Sequence, residues 1–168
     1  MPPPRRLWDS CTIIYYLAGK AEANPDCPEI IAQAKRGELE IMVSMLAEAE
    51  VAKVDNELGP GDDSESMIRE FFGRSYIVRV ALEVEIAREA RRLVRVYKGM
   101  KPLDAVHIAT ALRYAVPILE TYDAEMLKRT GQEGEPPLII RKPDAGEPPS
   151  AAKQGNFFGS EGRPAASS

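Results

Sequence analysis

Cysteine and histidine are scarce in this 168-residue chain, which has two cysteines, Cys11 and Cys27, and a single histidine, His107. Two cysteines are too few for a disulfide framework, and their spacing fits no metal-ligand pattern. The sequence therefore indicates neither a disulfide-stapled scaffold nor a cysteine metal site. A reducing, cytoplasmic setting is the expected one.

Long apolar runs and excess positive charge are also missing. No stretch is long enough to span a bilayer, and the run CTIIYYLAG is too short for a signal peptide, so no membrane association is expected. A net charge of −4 counts against a nonspecific nucleic-acid binder. Residues 1–4 (MPPP) are expected to form a frayed leader. The Pro-, Gly-, Ala- and Ser-rich residues 143–168 are expected to form a disordered tail, which leaves one domain over 5–142.

Apolar runs and amphipathic segments alternate along this domain. The runs predict a strand ending at Asp9 and further strands over 39–44, 76–82, 116–121 and 137–142. Helices are predicted from an N-cap at Ser10 and over 28–36, 45–59, 83–99 and 101–115, with a further run at ESMIREFF. Strands that alternate with helices are typical of an α/β fold with a parallel sheet covered on both faces.

Four acidic residues stand where an apolar run ends or becomes a helix: Asp9, Glu50, Asp104 and Asp123. Carboxylates at the carboxyl ends of parallel strands meet in the crevice where ligands bind. Such a cluster repels itself unless a hard cation lies within it, and all-oxygen sites suit Mg²⁺ or Mn²⁺. The pattern predicts a metal-dependent site that acts on phosphate.

The motifs around these acids resemble those of the PIN domain, most closely the VapC-type ribonuclease toxins. The resemblance covers about residues 5–142 and is carried by WDSCTIIYYL, VSMLAEAEV, LDAVHIATAL and ETYD, in that order. The family's third residue in the first motif is often Asn or Ser, whereas Cys11 stands here. The resemblance implies a three-layer sandwich with a mainly parallel sheet of four to five strands.

For function, the resemblance implies a metal-dependent endoribonuclease in which Asp9, Glu50, Asp104 and Asp123 hold Mg²⁺ or Mn²⁺. A water would attack the phosphorus in line and leave a 5′-phosphate and a 3′-hydroxyl. It also implies the toxin of a toxin–antitoxin pair, with an antitoxin partner and a homodimer. The alternative is a non-catalytic PIN-like scaffold that binds a partner. A receiver domain is disfavoured because the acidic pair after the first strand and the late lysine are missing.

Several residues keep two interpretations. Glu48 and Glu50 lie about 200° apart on a helix, so only one can face the site, and the motif spacing favours Glu50. Ser10 and Thr121 are candidate supports for the metal site or its water, or simply local caps. His107 is interpreted as a half-buried packing residue rather than a general base.

A basic stripe is predicted on one helix. Arg88, Arg91, Arg92 and Arg95 share a face by the i, i+3, i+4, i+7 rule. The stripe is interpreted either as a contact for RNA or a partner, or as an ordinary solvated helix face.

Overall fold

The computed structural model describes residues 1–19, 25–52, 54 and 62–146. Five strands form one sheet: β1 (Arg5–Trp8), β2 (Glu40–Ser44), β3 (Ile77–Val80), β4 (Ile118–Glu120) and β5 (Ile139–Arg141). Seven helices are seen in this part of the chain: α1 (Ser10–Leu17), α2 (Asp26–Lys35), α3 (Met45–Glu50), α4 (Asp62–Phe72), α5 (Val84–Val96), α6 (Pro102–Arg113) and α7 (Ala124–Leu127). No helix in the described ranges is long and apolar enough to cross a bilayer.

The sheet has the strand order β3-β2-β1-β4-β5, and every neighbouring pair is parallel. This confirms the predicted α/β fold with a parallel sheet of four to five strands. From β1, the next two strands, β2 and β3, are added on one side of the sheet. The chain then crosses back, and β4 and β5 are added on the other side of β1. The order therefore reverses between β1 and β4, and ligands of parallel α/β sheets bind at the carboxyl ends of strands at such a point.

Two apolar layers cover the two faces of the sheet, because successive strand residues point to opposite sides. Leu7 and Met42 face the layer that α5 and α6 close, together with Leu93 of α5. Trp8 faces the other layer, with Phe71 of α4 stacked on its indole at 6.5 Å between ring centroids. Both faces of the sheet are thus buried, as expected of parallel strands linked by helices.

Two helix ends differ from the sequence-based expectation. Asp9, not Ser10, is the N-cap of α1, and its side chain accepts a hydrogen bond from the Thr12 amide. The helix predicted over 45–59 ends at Glu50, since Val51 leaves helical geometry. Val51 and Val54 are 1% and 7% exposed, so burial of these valines in the core draws the chain out of the helix. The remainder of that prediction, at 53 and 55–61, lies outside the described residues.

The last four described residues, 143–146, pack on the fold. Gln33 Nε2 donates to the Ala145 carbonyl at 3.0 Å, and the Asp144 amide donates to Glu120 Oε1 at 3.4 Å. Pro143 and Ala145 are buried. These four residues belong to the tail predicted to be disordered over 143–168, and the rest of it, 147–168, lies outside the described residues. At the other end, the Pro4 carbonyl accepts from the Glu40 amide at 2.9 Å.

The homodimer implied by the resemblance would need an exposed apolar surface, for which the first helix and residues 45–72 are the expected segments. Ile13 is fully buried, and Ile14, Tyr15, Tyr16 and Leu17 are half-buried. The exposed large apolar side chains lie elsewhere, and two of them, Met45 and Met67, fall within the other expected surface at 45–72.

Candidate active site

Asp9 lies at the carboxyl end of β1 and is 3% exposed. Its Oδ1 accepts from the Thr12 amide at 2.8 Å, and its Oδ2 accepts from Thr121 Oγ1 at 2.5 Å. Burial raises the pKa of Asp9, while the bond from Thr121, the charge of His107 and the bonds from Thr12 oppose that rise. The hydrogen bonds from Thr12 and Thr121 therefore hold the Asp9 carboxylate in place, although burial disfavours its charged form.

Asp123 follows β4, the strand beside β1. Its Oδ1 accepts from the amides of Glu125 and Met126 at 2.8 and 2.9 Å, which caps α7. Its own amide donates to Thr121 Oγ1 at 2.9 Å. One threonine hydroxyl, fully buried, therefore links the Asp123 backbone to the Asp9 carboxylate across the point where the strand order reverses.

Asp104 enters the same region from the first turn of α6, after Pro102 and Lys101. Burial raises the pKa of its carboxyl, the charge of Asp123 raises it further, and the charge of Asp9 adds to this. Lys101 and His107 oppose the rise. No hydrogen bond to its carboxylate is seen among the described residues, so Asp104 is oriented by its helix rather than by partners.

The pKa of the Cys11 thiol is affected by all three of these acids, so they lie in one region around it. Cys11 is half-buried on the first turn of α1. Burial raises its pKa to about 11, and the charges of Asp9, Asp123 and Asp104 all act in the same direction. A thiol so strongly held in its neutral form is a poor nucleophile.

Glu50, at the end of α3, contacts α6 through His107. His107 Nε2 lies 2.8 Å from Glu50 Oε2, and the ring is 1% exposed. Burial acts to raise the pKa of Glu50, but the hydrogen bond and charge of His107, with a smaller effect of Ser10, outweigh it and lower the pKa. Glu48 instead pairs with Arg79 of β3 at 3.3 Å. Of the two glutamates, the structure therefore places Glu50 beside α6.

Aromatic rings brace the segment between Thr121 and Asp123. Tyr122 stacks on Tyr15 of α1 at 4.3 Å between ring centroids, and its hydroxyl lies 3.6 Å from the Cys27 sulfur. These contacts join α1, α2 and the end of β4. They fix the backbone from which Asp123 projects.

The donor chemistry of this region fits Mg²⁺ or Mn²⁺, since Asp9, Asp104 and Asp123 supply carboxylate oxygens. The raised pKa of Asp104, caused by burial and then by Asp123, shows a repulsion that a cation would relieve. No three acidic, histidine or cysteine side chains within the described ranges are already arranged to enclose an ion. The charges of Asp123 and Asp9 thus raise the pKa of Asp104, although no ion-enclosing set of side chains is in place among the described residues.

The four arginines of the predicted basic stripe on α5 differ in their contacts. Arg92 is engaged by Glu89 and by Glu133, at 2.5 Å in each case. Arg88, Arg91 and Arg95 are exposed and form no ion pair with any described residue. Arg91 and Arg95 border a cavity of about 300 Å³ between α5 and α6, whose floor is Ala87, Ala90, Val94, Pro102 and Val106.

A second buried carboxylate, Glu120, was not singled out from the sequence. It is fully buried at the end of β4, where it accepts from Trp8 Nε1 at 2.7 Å and from Arg6 Nη1 at 2.9 Å. Burial raises its pKa, and the charge of Arg6 opposes this. An acid within the apolar run PILE was the available signal. Its partners are structural, and they lock β4 to β1.

A parallel sheet with acidic side chains gathered where its strand order reverses defines an α/β protein with a carboxylate-lined site. The model of the PIN domain matches residues 7–132, and the chain belongs to that family. PIN domains are generally nucleases, and they generally use divalent metal ions.

Among solved structures, the chain is similar to a chain of VapBC2 from Rickettsia felis, crystallised bound to a DNA fragment from their promoter. The TM-score is 0.58 at 13% sequence identity, and the match covers 82% of this chain and 97% of that chain. This likeness concerns the fold. No curated protein matches the chain.

Proposed function

We propose that this protein is a Mg²⁺- or Mn²⁺-dependent endoribonuclease and the toxin of a toxin–antitoxin pair. The observation that carries the proposal is the link from Asp9 through the Thr121 hydroxyl to the Asp123 backbone, with Asp104 close enough for its pKa to be raised by burial and by Asp123. The fold likeness to a chain of a VapBC2 complex supports an antitoxin partner. A cytoplasmic location and a homodimer belong to the same proposal.

All four motif acids would hold the ion, with Glu50 beside α6 as one ligand and the three aspartates in roles that their surroundings support. Asp9, fixed by Thr12 and Thr121, would be the least mobile ligand. Asp104, without a described hydrogen-bond partner, would be the ligand most able to turn toward an ion. Asp123 keeps Oδ2 available because Oδ1 caps α7.

A bound ion would supply an activated water and offset charge on the phosphate. Arg91 and Arg95 would bind the RNA backbone or the partner.

The alternative function is a partner-binding module without cleavage. One observation favours it: an apolar groove lies between α5 and α6, and Arg91 and Arg95 line it. The presence of all four motif acids favours the enzyme.

Cleavage of labelled RNA, measured with Mn²⁺, with Mg²⁺ and with excess chelator, tests the proposal. Asp104→Asn and Asp123→Asn keep side-chain volume and remove one negative charge each, and asparagine still caps α7. Each should lower the cleavage rate by at least about 10–100-fold. Products should carry a 5′-phosphate. Cleavage that survives the chelator, or is equal in wild type and Asp104→Asn, would rule out the metal nuclease.

A further inference from the structure

His107 is a buried polar residue in the middle of α6. The ring is 1% exposed, and its neighbours on α6, Ala105, Val106, Ile108 and Ala109, are all buried. Its Nδ1 is buried and has no hydrogen-bond partner among the described residues. Burying an imidazole costs free energy that an apolar side chain of similar size would not. Among the described residues, the one hydrogen bond of the ring that offsets this cost joins it to Glu50.

The direction of that bond follows from the charge on Glu50. A glutamate carboxylate is ordinarily ionised at neutral pH, and an ionised carboxylate can only accept hydrogen bonds. His107 Nε2 therefore donates its proton to Glu50 Oε2 across the 2.8 Å contact.

The ring also lies among the other acids of the site. For Asp9, Glu50 and Asp104 alike, burial is the largest influence on the pKa, and the charge of His107 opposes it. His107 follows Asp104 by three residues on α6, so both project from one helix face. The ring thus joins α3 to the part of α6 that carries Asp104.

We propose that His107 is a positioning residue that holds the Glu50 carboxylate at the edge of the acidic cluster through its Nε2–H donor. This inference rests on the proposed function, in which Glu50 is a metal ligand. It differs from the packing role expected from the sequence, because packing needs the volume of the ring and not its donor. A donor that orients a ligating carboxylate is expected to raise metal affinity about 10–100-fold.

Two substitutions separate the donor from the volume. The amide nitrogen of glutamine can occupy the position of Nε2, whereas that of asparagine reaches only the position of Nδ1. Mn²⁺ affinity would be measured by calorimetry for wild type, His107→Gln and His107→Asn, and the metal-free melting temperature of each would be recorded. We expect His107→Gln to bind Mn²⁺ within about threefold of wild type and His107→Asn to bind at least about tenfold more weakly. Equal affinities for the two variants would overturn the positioning role.

A measurement on the wild type decides the matter if a variant does not fold. Because the chain has one histidine, the imidazole ¹⁵N resonances in an NMR spectrum belong to His107 alone. Titration with diamagnetic Mg²⁺ should shift the Nε2 resonance, since the ion would polarise the carboxylate that accepts its proton, and Glu50→Gln should abolish the shift. Mg²⁺ binding that shifts the Asp104 amide but not Nε2 would refute the inference alone. A wild type that binds neither ion would overturn the proposed function itself.

Discussion

The Thr121 hydroxyl donates to the buried carboxylate of Asp9 at 2.5 Å and accepts from the Asp123 amide at 2.9 Å. The contact joins the ends of β1 and β4, which are neighbours in the sheet and far apart in sequence. Asp9 is only 3% exposed, so water has little access with which to replace this donor. The threonine is therefore expected to set both the position and the charge of the site.

Thr121→Val should weaken the site, because valine keeps the shape and removes the hydroxyl. Leaving Asp9 without one buried partner should lower the free energy of unfolding by about 1–3 kcal/mol and the Mn²⁺ affinity by about tenfold or more. Urea unfolding and calorimetry measure the two effects. Thr121→Ser keeps the hydroxyl and is the control. Equal Mn²⁺ affinities for the valine and serine variants would contradict this account of the site.

The metal-free stability should depend on pH through Asp104. Burial and then the charge of Asp123 raise its pKa above the usual 3.8, so the folded protein holds the proton more tightly than the unfolded chain. Stability from this group is then fully present below about 3.8 and falls as pH rises through the higher folded value. Glu50 has the opposite effect. Its pKa is lowered by His107 against the effect of burial, so its contribution to stability is lost as the pH falls.

A difference profile isolates this effect. The free energy of unfolding would be measured from pH 3 to 7 for wild type and Asp104→Asn, both in chelator. Relative to wild type, the asparagine variant should gain stability as pH rises, because it lacks the charge that burial and Asp123 disfavour. Its metal-free melting temperature at pH 7 should be level with wild type or higher. If the difference in unfolding free energy between the two proteins did not change with pH, the pKa of Asp104 would not be raised in the folded protein.

The sequence was sufficient for features that depend on local pattern. Alternation of apolar runs and amphipathic helices predicted the parallel sheet, and acids at the ends of the first and fourth strands were predicted to face one crevice. Asp9 and Asp123 were predicted to be metal ligands. The structure shows that each aspartate caps a helix through Oδ1, which leaves its Oδ2 for another partner.

What the sequence could not supply depends on contacts between distant segments. Glu50 and His107 are 57 residues apart, and no periodicity links α3 to α6. The end of α3 has no glycine or proline signal, since burial of Val51 decides it. The basic stripe on α5 was predicted from helical spacing alone. That spacing could not predict that Arg92 pairs with Glu133, which is 41 residues away.

Arg91 and Arg95 should contribute to RNA binding without affecting the fold, because neither is ion-paired with a described residue. Replacing both by Gln should weaken RNA binding in Ca²⁺ or chelator and reduce the dependence of log affinity on log salt by about 0.7 per lost phosphate contact. Fluorescence anisotropy at several salt concentrations measures this. Arg92→Gln is the matched control on the same helix, and it should alter stability more than RNA affinity. An unchanged salt dependence in the double variant would assign the groove to a protein partner instead.

Glu120 offers a test of structure that is independent of the site. Its carboxylate is fully buried and pairs with Arg6, which is 14% exposed. Glu120→Gln can still accept from Trp8 but leaves the Arg6 charge unpaired in a largely dry position. Breaking a buried pair costs about 3–5 kcal/mol, and the low end is expected because Arg6 also donates to the Asp144 carbonyl at 2.6 Å.

The control is Arg141→Gln, since Arg141 lies 3.6 Å from the same carboxylate but is 33% exposed. It should cost less than about 1 kcal/mol, as exposed pairs do. Urea unfolding measures both variants. Neither should change Mn²⁺ affinity by more than about threefold, because Glu120 directs its oxygens to Arg6 and Trp8 and not to the acids of the site. A Glu120→Gln variant that loses Mn²⁺ binding while retaining its stability would place Glu120 in the metal site and contradict the structural role argued for it.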